Sequence, residues 1–250
     1  MTIHDSQYDN PAAPVARERQ SAERTVLEQA PRTRTLALGG IVGPWLWTLI
    51  VVLLTVLEYD TLTSFGWTPG GGNGVNYPSS LALGRVGWIQ MLNFVVLGLC
   101  TLALAIGLFR VVRPRLLPRI GPTLLGVAGL GLVLSLFPTD NGPPDAPTTW
   151  HGVIHGLGFG LTFVPLLLAF FFLAASFRGD QRWRGYEWLG PAIGSAALAS
   201  FVIGSLLLPD WLNQVAFYVT LLLVFVGLTL LGLRLRSSDL SVPTGQRPRR

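Results

Sequence analysis

Six uncharged, mostly apolar stretches constrain the fold of this 250-residue chain more than any other feature. A helix that crosses the hydrocarbon core of a bilayer needs about 20 consecutive apolar residues. Read from charge to charge, the stretches predict spans at Leu36–Leu57, Val86–Phe109, Ile120–Thr139, Trp150–Phe177, Trp188–Pro209 and Trp211–Leu233. The runs are continuous, whereas the strands of a membrane barrel alternate polar and apolar residues. The sequence therefore predicts an all-α, polytopic membrane protein with six transmembrane helices in a bundle.

The low density of charge agrees with this prediction. Only 12% of the residues are charged and 50% are hydrophobic, whereas a soluble domain carries roughly 25% charged residues. A soluble enzyme and a disordered regulator are therefore excluded. The single cysteine, Cys100, lies inside an apolar stretch and has no second cysteine to pair with, so neither a disulfide scaffold nor a cysteine zinc site is expected.

The basic residues predict the orientation of the spans. All of them are arginines, and they lie between and beside the apolar stretches, so we expect no nucleic-acid partner. If the N-terminus is cytoplasmic, every arginine except Arg85 falls on the cytoplasmic side, as the positive-inside rule requires. We therefore expect both termini in the cytoplasm and a location in the cell membrane. The polar residues 1–35 and 236–250 are predicted to be disordered cytoplasmic tails around a membrane domain at 36–235, and the first tail lacks the pattern of a signal peptide.

Two histidines open the fourth predicted span on the side opposite the arginines. His151 and His155 are four residues apart, so they share one face of a helix. An ionisable side chain as deep as His155 usually faces the interior of a bundle or a polar cavity. Glu58, Asp60 and Asp140 end the first and third spans on the same side. The predicted site is this group of five residues at the outer face.

Three interpretations of the five residues stay open. They form an interfacial hydrogen-bonded network that joins spans one, three and four, since buried polar groups generally have partners. Alternatively, they bind a lipid headgroup or a small polar ligand. In a third interpretation His151, His155 and Asp140 hold a metal ion, with zinc as the candidate cofactor, since histidines at i and i+4 offer two ligands on one face. Haem is disfavoured, because its axial ligands approach opposite faces of the ring.

Several segments resemble a known family of integral membrane proteins from bacteria and archaea, the domain of unknown function 998. They are Leu81–Gly84, Gly87–Gln90 with Asn93 and Phe94, Phe137–Asp140, Pro143–Pro144, Ala146–Pro147, Trp150–His155, Gly179–Asp180 and Arg182–Gly185. The resemblance covers about residues 40–235 and implies a six-helix membrane protein with no assigned reaction. Members of this family often carry Asp after the second histidine, where this chain has Gly156, which weakens a catalytic role for His155.

The sequence thus favours a multi-pass membrane protein that binds or moves a small or lipidic ligand through a polar pocket at its outer face. Beyond the lipid bilayer itself, such a ligand is the one partner that we expect. The alternatives are a metal-dependent lipid hydrolase at the outer leaflet and an accessory subunit that packs against another membrane protein. No catalytic residue is assigned from the sequence.

Overall fold

A computed structural model describes residues 12–64, 66, 77–113, 115–140 and 148–237. Its α-helices are α1 (Ala12–Leu57), α2 (Tyr59–Ser64), α3 (Gly87–Val111), α4 (Leu116–Leu134), α5 (Trp150–Ser176), α6 (Tyr186–Leu207) and α7 (Asp210–Ser237). Short 3₁₀ helices at Pro78–Leu83 and Gln181–Trp183 precede α3 and α6. Within the described ranges, six helices are long and apolar enough to cross a membrane: α3 to α7 and the part of α1 from Pro31 to Leu57. The predicted all-α, six-span membrane fold is confirmed.

The six membrane helices form a closed antiparallel ring in the order α1, α3, α4, α5, α6, α7. Each helix packs on its neighbours in the chain, and α7 closes the ring by packing on α1. The indole nitrogen of Trp45 donates a hydrogen bond to Oγ1 of Thr229 across that closing contact. Asn93 of α3 donates from Nδ2 to the backbone oxygen of Trp47 in α1, 3.1 Å away. Large apolar side chains on the outer faces are exposed, as expected of a surface that faces lipid.

The two ends of the ring differ in charge. We call the end with Glu58, Asp60 and Asp140 the acidic end. The opposite end, here the arginine end, carries the arginines that flank α3 to α7: Arg110, Arg113, Arg115, Arg119, Arg178, Arg182, Arg184, Arg234 and Arg236. Its interior is filled by fully buried side chains, among them Leu104, Leu108, Phe170, Leu173 and Leu231. Side chains therefore pack closely in the interior of the ring near the arginine end.

Helix α4 is displaced along the chain relative to the predicted third span. It begins at Leu116 and ends at Leu134, whereas the prediction began at Ile120 and ended at Thr139. Pro138 explains the early end, because proline disfavours helical geometry in the residue before it. The backbone oxygens of Phe137 and Pro138 are consequently free of the helix and available to other partners. In α1, the helix extends N-terminally of the predicted span, to Ala12.

Candidate functional site

Thr149 and Asp140 together fix the start of α5 at the acidic end. The Thr149 hydroxyl accepts a hydrogen bond from the amide of Gly152, which caps the helix, and donates its own proton to Asp140. Asp140 also accepts the amide hydrogen of Thr149, 3.1 Å away. A Cβ atom at Gly152 would overlap the Asp140 carboxylate, so glycine is required for this close approach.

The Asp140 carboxylate is held in its charged form by these contacts. The hydrogen bond from the Thr149 side chain lowers the pKa of Asp140 most; partial desolvation opposes it, and the Thr149 amide and the nearby rings of His151 and His155 lower the pKa further. The distance from Oδ1 of Asp140 to Nδ1 of His151 is 3.8 Å. A carboxylate at the N-terminus of α5 is also stabilised by the helix dipole.

Both histidines of α5 bind the backbone that follows α4. Nδ1 of His151 donates to the backbone oxygen of Pro138 at 3.0 Å, and Nδ1 of His155 donates to that of Phe137 at 2.7 Å. A carbonyl oxygen can only accept, so each Nδ1 carries the proton. The two imidazoles therefore join α5 to the end of α4, with the helical spacing that the sequence predicted.

Glu58 has a different set of partners. Its side chain is buried, and Oε1 accepts the amide hydrogen of Val86 at 2.9 Å, while Nε of Arg85 lies 3.9 Å from Oε2. Burial raises the pKa of Glu58, but hydrogen bonds from the Thr61 side chain and the amides of Val86 and Arg85, together with the Arg85 charge, lower it below its ordinary value. Glu58 thus ties the end of α1 to the start of α3.

The five predicted residues therefore divide into three groups. The structure brings Asp140, His151 and His155 together, and it places Glu58 in a separate set of contacts with the segment before α3. Asp60 is exposed on α2. Among the residues that the structure describes, no group of three or more His, Cys, Asp or Glu side chains is arranged to hold a metal ion. The residues present therefore do not support the zinc hypothesis.

A cavity of about 440 Å³ lies inside the ring. All six membrane helices contribute to its wall, and Tyr77, Pro78 and Ser79, before α3, lie over it. Its side chains are predominantly aromatic and aliphatic: Trp47, Phe94, Leu97, Leu132, Phe159, Phe163, Leu166, Phe201, Phe217, Leu221, Val224, Phe225 and Leu228. Of the five predicted residues, His155 alone reaches this wall.

Polar side chains of the cavity concentrate toward the acidic end. Ser135 and Thr139 follow the end of α4, His155 lies near the start of α5, and Ser205 and Asn213 flank the turn between α6 and α7. Along α5 the lining runs from His155 to Leu166, which is about 16 Å at the rise of an α-helix. The cavity is therefore elongated, with a polar end and an apolar depth.

The aromatic wall was missed by sequence analysis. Phe163 stacks on Phe201 with ring centroids 5.4 Å apart and contacts Phe217 at 5.5 Å, while Trp47 meets Phe225 edge-on at 5.4 Å. Phenylalanines that face lipid and phenylalanines that face a cavity have the same apolar character. The one available signal was His155, whose depth in the span indicated a polar surface nearby.

Comparison with known proteins shows the family. The model of the family described as "Protein of unknown function (DUF998)" matches residues 41–234, a range that covers α3 to α6 completely and most of the membrane-spanning parts of α1 and α7. Searches of curated proteins and of solved structures returned no match.

Proposed function

We propose that this chain, which belongs to the DUF998 family, is a multi-pass protein of the cell membrane that binds an amphipathic, lipid-like molecule in the cavity of its helical ring. The observation that carries the proposal is the cavity itself. Its volume of about 440 Å³ lies within the range of roughly 300–1,000 Å³ typical of small-molecule sites. Its lining, polar at one end and apolar in its depth, matches a molecule with a polar head and a hydrocarbon tail.

The packing beyond the cavity favours binding over free passage. At the deep end of the cavity, next to the lining residue Leu228, Phe170 is 1% exposed and a Cβ atom at Gly227 would overlap its ring, so α5 and α7 meet there. Leu231 and Leu235 fill the interior further toward the arginine end. A ligand that enters from the acidic end would therefore stop in the cavity.

Catalysis is less well supported than binding. Asp140 and His151 take part in contacts that fix the start of α5, and Glu58 binds the segment before α3. None of these three side chains lines the cavity. A hydrolase would need an activated nucleophile or a metal-bound water next to the ligand, so we favour a binding protein.

The orientation in the membrane is part of the proposal. The arginines that flank α3 to α7 gather at one end, and Arg85, beside Glu58, lies at the other. We infer that the arginine end is cytoplasmic and that the cavity serves the outer leaflet. A reporter enzyme that is active only in the cytoplasm, fused after Ser237, is expected to be active. The same reporter inserted after Ser64 is expected to be inactive, and the reverse pattern would contradict this orientation.

Filling the cavity tests the proposed function directly. Gly156 lines the cavity, and a Cβ atom there would meet nothing within 4 Å. We expect Gly156→Leu to occupy space that the ligand needs and to weaken binding about tenfold, the equivalent of about 1.4 kcal/mol. The measurement is the molar ratio of lipid to protein, obtained by mass spectrometry of lipids that co-purify in a mild detergent.

Gly160 provides the matched control. Gly160 lies one turn further along α5 and does not line the cavity. A Cβ atom added there would also meet nothing within 4 Å. Leucine favours a helix over glycine by roughly 0.5–1 kcal/mol, so both variants are expected to fold. Equal lipid content in Gly156→Leu, Gly160→Leu and the unmodified protein would refute binding in the cavity.

A further inference from the structure

The hydrogen bonding of His155 defines what the cavity can recognise. The imidazole donates from Nδ1 to the backbone oxygen of Phe137, at 2.7 Å. In the neutral form of the ring, which has one donor and one acceptor nitrogen, Nε2 is therefore the acceptor. Within the described ranges that nitrogen has no protein partner, and His155 lines the cavity. His155 therefore offers a ligand a hydrogen-bond acceptor.

Two hydroxyl groups of the same wall are acceptors as well. Oγ of Ser135 donates its proton to the backbone oxygen of Gly131 at 3.1 Å. Oγ1 of Thr162 donates to that of Gly158 at 2.8 Å. Each hydroxyl has a single proton, so both present lone pairs to any ligand. The part of the cavity wall formed by the end of α4 and the first half of α5 is therefore suited to a ligand group that donates a hydrogen bond.

The lack of positively charged side chains on the described part of the wall also favours an uncharged ligand. None of the described residues that line the cavity is an arginine, and Asp140, held in its charged form, lies next to the lining residue Thr139. A carboxylate or phosphate beside His155, Ser135 and Thr162 would meet these acceptors without a compensating cation, which is costly in an apolar site. An alcohol, which stays protonated, satisfies the same acceptors without a charge. Elsewhere on the wall, the buried indole nitrogen of Trp47 has no hydrogen-bond partner among the described residues, so the ligand can also accept a hydrogen bond there.

From these contacts, and resting on the proposed function, we infer that the ligand is an uncharged lipid with a free hydroxyl group, which donates a hydrogen bond to Nε2 of His155. The hydrocarbon part of the ligand lies among Phe163, Leu166 and Phe217, deeper in the cavity. Long-chain alcohols and acylglycerols with a free hydroxyl belong to this class. Fatty acids and phospholipids without a free hydroxyl do not.

A pair of probes, in one of which a methyl group replaces the hydroxyl hydrogen, tests the inference. A dibrominated long-chain alcohol and its methyl ether have the same tail, but the ether cannot donate a hydrogen bond. Bromine quenches tryptophan fluorescence at short range, and Trp47 lines the cavity. We expect saturable quenching by both probes, with the alcohol bound about tenfold more tightly, because the ether leaves a buried acceptor without a partner. Trp47→Phe should remove the saturable part of the signal.

His155→Asn is designed to remove Nε2 from the cavity wall. The Nδ2 group of asparagine can donate to the Phe137 oxygen in place of Nδ1, and the side-chain oxygen of asparagine lies closer to the helix than Nε2, so no acceptor remains at the Nε2 position. We expect this variant to bind the alcohol and the ether equally. His151→Asn is the matched control, because His151 makes the same type of bond to Pro138 but does not line the cavity. It should keep the preference for the alcohol.

The possible results separate this inference from the proposed function. If the two probes bind the unmodified protein equally, or if the corresponding brominated fatty acid binds more tightly than the alcohol, the hydroxyl inference is wrong while the binding function stands. If no probe quenches saturably, the binding function itself fails. If His155→Asn does not fold, the affinities of the alcohol and the ether for the unmodified protein still test whether the ligand donates a hydrogen bond.

Discussion

Gly131→Ala is expected to lower the free energy of unfolding by about 3 kcal/mol, near the upper end of the usual cost of overpacking. A Cβ atom at Gly131 would lie 2.6 Å from the backbone nitrogen of Thr162 and 2.7 Å from the backbone oxygen of Gly158. Both are main-chain atoms of α5, so no side chain can rotate away, and α4 and α5 would have to separate. The measurement is reversible unfolding in mixed micelles of a mild detergent and dodecyl sulfate.

Gly126 lies in the same helix and supplies the control for this substitution. The nearest atom to a Cβ there is the Cβ of Ala105, at 4.0 Å, which is ordinary contact. Gly126→Ala is therefore expected to leave stability unchanged or to raise it by up to about 1 kcal/mol, through helix propensity. Similar losses in Gly126→Ala and Gly131→Ala would show that the close approach of α4 to α5 does not stabilise the bundle.

The membrane helices could be predicted from the sequence because their signal is local. A long apolar run without charges has few alternatives to a transmembrane helix. The ends of α4 were less accessible, since its apolar run continues through Phe137 while the helix stops at Leu134. Pro138 is a local signal for this end, but the hydrogen bonds of His151 and His155 to the freed backbone oxygens are tertiary contacts that no local pattern contains.

The candidate site was only partly predictable for a related reason. The spacing of His151 and His155 correctly placed both on one face, and their topology placed Asp140 nearby. Glu58 ends a span at the same side of the membrane, but its partners include the amide of Val86, and backbone donors have no sequence signature. The cavity depends on which faces of the six helices turn inward. When one face of a helix contacts lipid and the other carries phenylalanines, both faces are apolar, so the sequence shows little periodic variation in hydrophobicity.

The segment from Gly179 to Gly185, which the resemblance picked out, has a structural explanation. It forms the turn between α5 and α6 at the arginine end. Asp180 accepts hydrogen bonds from the Arg182 amide and guanidinium, the closest at 2.6 Å, and the Arg182 side-chain bonds are the largest cause that lowers the pKa of Asp180. The chain turns back with φ of 75° at Gly179 and 89° at Gly185, a conformation that favours glycine. The turn thereby directs Trp183 into the protein.

Trp183→Ala is expected to cost about 3–5 kcal/mol of unfolding free energy, as for other large aromatic residues that are removed from a packed interior. Trp183 is 1% exposed and stacks on Phe177, with ring centroids 3.7 Å apart and 4° between the planes. Tyr186 meets both rings edge-on. These three rings join the end of α5 to the start of α6, so their loss would separate two neighbouring helices of the ring.

Trp188 distinguishes this packing from a general effect of tryptophan near the membrane surface. It lies five positions further along the chain and is 79% exposed, so Trp188→Ala should change the same unfolding measurement by less than about 1 kcal/mol. Because α5 and α6 also carry Phe163 and Phe201 of the cavity wall, loosening their turn should weaken ligand binding as well. A Trp183→Ala protein as stable as the Trp188→Ala protein would mean that the aromatic turn does not hold α5 against α6.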